Sequence, residues 1–160
     1  MATMKYHIWT SGCQMNVADS RWVASALEQL EYTETSRAEN ADVIVLNTCV
    51  VRQSAEDSAA GRISSLKGLK RKNPDLVINV MGCLVGVRDV DHLYERYPHV
   101  DIFSPPSDPG PLVAYLTRGE TRDYQQELTS NRFAIMDGRM PLPENQRELV
   151  SAYVPVVFGC

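Results

Sequence analysis

The chain has 160 residues, room for one ordinary domain with some extra length but not for two full ones. Its 44% hydrophobic and 22% charged residues are those of a globular protein, and a net charge of −4 excludes a broad basic surface as the main grip on nucleic acid. No run approaches the roughly 18 apolar residues of a membrane span, and the start MATMKYHIWTSGC lacks signal-peptide character, so the expected compartment is the cytoplasm.

Lys5 to Thr10 has the aromatic and β-branched mix of a strand. The stretch ADSRWVASALEQL then reads as a helix, with Val23, Ala26, Leu27 and Leu30 on one face and Asn16 or Asp19 as candidate cap. The polar run TETSRAENA reads as a loop, leading into a second strand over Asp42–Thr48, whose VIVL core suits burial on both faces. A longer helix is expected from Arg52 to Lys72, stopped by Asn73-Pro74. Leu76–Met81 reads as a third strand, Asp89–Tyr97 as a helix and His99–Phe103 as a further short strand. SPPSDPGP is a breaker, and PLVAYLTRG a last short helix with Gly119 beyond its end. This alternation predicts an α/β layer fold: a mainly parallel sheet of about five strands with flanking helices and right-handed crossovers. Residues 1–119 form the expected domain; 120–160 have no clear period and read as a linker ending in the strand-like AYVPVVF and Cys160.

Three cysteines fall at corresponding places. Cys13 follows the first strand, Cys49 the second and Cys83 the third, at spacings of 36 and 34 positions. In such sheets functional groups collect at the carboxyl ends of strands, so the three thiols are expected on one rim. Gly12 and Gly82 precede two of them, where glycine permits unusual backbone angles and leaves room for a bulky group. Three soft ligands suit zinc or an iron–sulfur cluster and leave one coordination position open; three unrelated core cysteines, or a disulfide pair, are the blander readings. His7, inside the first strand, and His92 sit away from strand ends and are expected to pack or face solvent. Trp9 and Trp22 are expected to pack, and Lys67, Lys70, Arg71 and Lys72 to solvate a helix carboxyl end and offset its dipole.

The segments GCQMNVADS, NTCVVRQSAE and MGC, in this order and spacing, resemble the amino-terminal domain of radical-SAM methylthiotransferases, and the closing SAYVPVVFGC resembles the entry into that family's radical-SAM domain. GCQMN, ADS and NTCVVR are more similar to the tRNA-modifying branch (MiaB type) than to the branch acting on a ribosomal protein. The third segment departs from the branch pattern, with Met81 where a further cysteine is frequent and Leu84-Val85-Gly86 after Cys83. The resemblance implies that Cys13, Cys49 and Cys83 hold an auxiliary 4Fe-4S cluster with one iron free of protein ligands. It implies that Cys160 is the first ligand of a second 4Fe-4S cluster that binds S-adenosylmethionine. It further implies sulfur or methylthio transfer to C2 of an N6-dimethylallyl-type adenosine beside the tRNA anticodon, with the protein supplying position and environment. A sequence stopping at Cys160 lacks the other two radical-cluster cysteines, so it reads as a fragment, inactive alone, able to self-associate through an uncovered face, with tRNA as partner of the full-length enzyme.

Overall fold

The computed structural model describes residues 3–50 and 53–117. The described residues form five strands and five helices: β1 Lys5–Thr10, α1 Gln14–Gln29, β2 Thr33–Glu34, β3 Val43–Thr48, α2 Gln53–Lys72, β4 Val77–Gly82, α3 Cys83–Val87, α4 Val90–Arg96, β5 Ile102–Ser104 and α5 Gly110–Leu116. A single 3-10 turn covers Ala38–Asn40. All strand pairings are parallel, in the order β2-β1-β3-β4-β5, as the strand–helix alternation predicts. Gly119, the 120–160 linker, its AYVPVVF strand and Cys160 lie outside the described residues.

β3 and β4 are largely apolar because both their faces are covered, whereas β1 buries only Tyr6. Tyr6, Val43, Val45, Met81 and Ile102 point to one face and pack with Val23, Ala24 and Leu27 of α1 and Leu112 of α5. Ile44, Leu46, Ile78, Val80 and Phe103 point to the other, against Ile63 and Leu66 of α2, Leu84 and Val85 of α3 and Leu93 of α4. The sheet is therefore doubly wound. The chain leaves β1 by a helix on one face and β3 by a helix on the other, which makes the β1/β3 boundary the point where the winding direction reverses.

α2 is fastened at its carboxyl end: Lys70 Nζ lies 2.9 Å from both Asp101 oxygens and donates to the Leu76 carbonyl, while Asp101 also accepts from the Ile78 N–H at 2.8 Å. Lys67, Arg71 and Lys72 are exposed there, as expected of cations at a helix end. α4 is capped by Asp89, which accepts from the Asp91 N–H.

Candidate functional site

The carboxyl ends of β1, β3 and β4 carry the three cysteines side by side. Cys13 is the residue before α1, Cys49 follows β3 directly and Cys83 opens α3. Cys13 is exposed, Cys49 and Cys83 are buried, and none of the three is in a disulfide.

The two glycines that precede cysteines explain how the loops close. Gly12 has φ +128°, and a Cβ added there would lie 2.5 Å from Cys49 Cβ and 2.7 Å from Asn16 Oδ1. Gly82 has φ +99°, and its added Cβ would run into the Thr48 carbonyl and come within 2.6 Å of Asn47 Oδ1. Both positions need the conformational freedom of glycine. The space the sequence reading reserved for a bulky group, however, is filled by the 47–49 segment. The loops bearing Cys13 and Cys83 thus each rest on the strand end that carries Cys49.

Beneath this rim lies a polar layer that hydropathy does not announce. Asn16, Asp19, Ser20, Asn47, Thr48 and Ser107 are buried. Asn16 Nδ2 donates to Asn47 Oδ1 at 2.8 Å and to the Thr48 carbonyl at 3.0 Å, and Asn47 Nδ2 donates to the Asn16 carbonyl at 2.7 Å and to Ser20 Oγ at 3.0 Å. Thr48 Oγ1 donates to the Met81 carbonyl, tying β3 to β4 at the same level. Ser107 Oγ donates to Asp19 Oδ1 at 2.8 Å, drawing the β5–α5 loop onto α1, and a small crevice beside Cys83 is lined by Met15, Asn16, Asp19, Gly82, Pro106 and Ser107. Asn16 and Asp19, read as candidate caps, sit inside α1 because the helix starts four residues earlier than its apolar period suggests; the residue at the cap position is Cys13.

His7 Nδ1 meets the Thr35 carbonyl at 2.9 Å and His92 is exposed near Glu95, so neither joins the rim. Among the described residues no three His, Cys, Asp or Glu side chains are grouped closely enough to hold a metal ion. The thiols share a rim without being drawn into a ligand set. The donor chemistry nonetheless fits a soft metal centre: three cysteines on three neighbouring strand ends, two of whose loops touch the third. A cavity of about 240 Å³ lies elsewhere, between α2 and α4, where Arg88 pairs with Glu56 at 2.6 Å.

A doubly wound parallel sheet with a cysteine after each of three adjacent strands defines a thiol-bearing α/β domain. The profile described as uncharacterized protein family UPF0004 matches residues 5–104, which run from β1 to the end of β5, and the chain belongs to that family. It is similar to tRNA-2-methylthio-N(6)-dimethylallyladenosine synthases: 38% identical over 162 residues to that of Carboxydothermus hydrogenoformans (100% of this chain, 36% of that protein). The corresponding figure is 35% over 158 residues for the protein of Clostridium novyi (98% and 34%) and 36% over 161 residues for that of Herpetosiphon aurantiacus (100% and 34%). The chain spans about a third of the length of these relatives. The resemblance read from the cysteine segments is borne out by these matches. Among the described residues no helix is long and apolar enough to cross a membrane.

Proposed function

We propose that this chain is the amino-terminal, sulfur-handling domain of a cytoplasmic tRNA methylthiotransferase acting at C2 of an N6-dimethylallyl-type adenosine. The observation that carries the reading is the contact of the Gly12 and Gly82 backbones with the 47–49 segment, which brings three cysteine loops to one rim at the winding reversal. Cys13, Cys49 and Cys83 would hold a 4Fe-4S cluster. Such a cluster, when bound by three thiolates, supplies one iron open to the sulfur that is transferred. The buried Cys49 and Cys83, just beyond β3 and β4, would in this reading form the floor of the site, and the exposed Cys13 would close it from the β1–α1 loop. In this reading Cys160 begins the ligand set of the second cluster, and S-adenosylmethionine and tRNA are bound by the full-length enzyme.

Anaerobic reconstitution with ferrous iron and sulfide tests the reading. The expected result is about four irons per chain with charge-transfer absorption, abolished in a Cys13→Ala, Cys49→Ala, Cys83→Ala variant. Full iron in the triple variant, or one zinc per chain with no iron uptake, overturns it and favours a structural thiol module.

A further inference from the structure

Asn16 uses both lone pairs and both hydrogens of its side-chain amide: two of the four bonds go to Cys13 and two to the end of β3 that precedes Cys49. Its Oδ1 accepts from the Cys13 backbone N–H and from the Cys13 thiol, each at 3.3 Å. Its Nδ2 donates to the carbonyl of Thr48, the residue before Cys49, at 3.0 Å and to Asn47 Oδ1 at 2.8 Å. Asn47 answers with a bond to the Asn16 carbonyl at 2.7 Å. The two amides bridge α1 and β3 where the sheet reverses its winding.

A helix cap accounts for only part of this. Reaching back to the Cys13 N–H requires an acceptor three residues into the helix, which glutamate or glutamine supplies equally well. It does not require two donors aimed at β3. Nor does packing explain it, because a buried amide costs desolvation that an apolar side chain of the same size avoids. What the fully bonded amide adds is orientation: reversing it would set N–H groups against Cys13 and an oxygen against the Thr48 carbonyl.

We infer that Asn16 is a positioning residue of the cysteine site, tying the Cys13 loop to the strand end that bears Cys49. The inference rests on the proposal that the three cysteines form a shared ligand set. When the Cys13 sulfur ligates a metal, its S–H bond breaks and the proton leaves to solvent. Oδ1 then keeps the backbone N–H of Cys13, and the bridge to Thr48 and Asn47 is unchanged. Asn16 therefore sets the loop before loading and holds it afterwards.

Two substitutions separate its halves. Asn16→Ala removes all four bonds. Asn16→Asp keeps the shape and the acceptor toward Cys13, but sets an oxygen against the Thr48 carbonyl and Asn47 Oδ1. In the metal-free 160-residue chain, iodoacetamide labelling read by peptide mass spectrometry should modify Cys13 about fivefold faster, relative to Cys83, in Asn16→Ala. In Asn16→Asp it should be no faster than in the parent. After anaerobic reconstitution with ferrous iron and sulfide, both variants should hold iron against a chelator about tenfold less well than the parent. Unchanged Cys13 labelling in Asn16→Ala overturns the inference. So does equal acceleration at all three cysteines with a lowered melting temperature, which marks a loosened fold only. Full iron retention by Asn16→Asp overturns it as well, and this arm stands even where alanine unfolds the chain. A triple cysteine variant that keeps its iron instead refutes the shared ligand set, while the labelling contrast, measured without metal, is unaffected.

Discussion

Replacing Gly82 by alanine should cost this domain a large share of its stability. Gly82 ends β4 with φ 99° and ψ −158°, a region that residues with a Cβ essentially do not occupy. The added methyl would also meet the Thr48 carbonyl and lie 2.9 Å from the Thr48 nitrogen. Thr48 cannot retreat, because it is paired in register with Gly82 itself in the β3–β4 ladder. Backbone strain of about 1–3 kcal/mol and overpacking of about 1–3 kcal/mol sum to about 4 kcal/mol, against a total of roughly 5–15 kcal/mol for a domain. The expected fall in melting temperature is roughly 15 °C or more. Urea unfolding followed by far-ultraviolet circular dichroism measures the loss directly. Gly61 and Gly68 in α2 are the matched controls: a Cβ there meets nothing within 4 Å, so alanine at either should stabilise by about 0.5–1 kcal/mol. If Gly82→Ala stays within about 0.5 kcal/mol of the parent, or shifts in the same direction as the controls, the argument from close packing is wrong.

Lys70→Met should destabilise by about 2 kcal/mol, since it leaves the partly buried Asp101 carboxylate with the Ile78 N–H alone; a double-mutant cycle with Asp101→Asn should show coupling. Arg88→Ala, by contrast, should change the urea midpoint by less than about 1 kcal/mol equivalent, because the Arg88 side chain of the Glu56 pair is half exposed. Burial, then the Glu28 carboxylate that accepts its hydroxyl proton, holds Tyr6 far above the ordinary tyrosine range, and burial followed by Asp42 raises Tyr32. Above about pH 10 the unfolded chain releases these protons more readily than the folded chain, so stability is full below that pH and falls as pH rises beyond it. Urea midpoints across this range should show the fall, and Tyr6→Phe should flatten it.

The strands that carry the site were legible from the aromatic and β-branched mix of β1 and the near-continuous apolar runs of β3 and β4: β1 matches its expected range, and β3 and β4 lie within a residue of theirs. Elsewhere the period is too short to read. β2 is two residues in the polar run TETSRAENA, and its pairing with β1 comes from backbone register alone. α3 is one short turn-and-a-half, CLVGV, launched by the positive φ of Gly82, and it takes the place of a loop. β5 begins at Ile102, three residues later than expected. His99 Nε2 donates to the Ile63 carbonyl, and Asp101 spends its side chain on Lys70 and Ile78. The rim was legible from the strand ends. The amide pair beneath it was not, since Asn16 and Asn47 look like ordinary polar residues until α1 and β3 are placed together.

The sheet also dictates an order of events. Asn16 and Asn47 are 31 residues apart, and Thr48 and Met81 are 33, yet each pair meets at the same level of the rim. No hairpin brings any two of the cysteine loops together; each meeting waits on the closure of a long crossover, the slow class of contact in folding. The Cys13 and Cys49 loops therefore meet when β1 and β3 pair, and the Cys83 loop joins them only once β4 has docked.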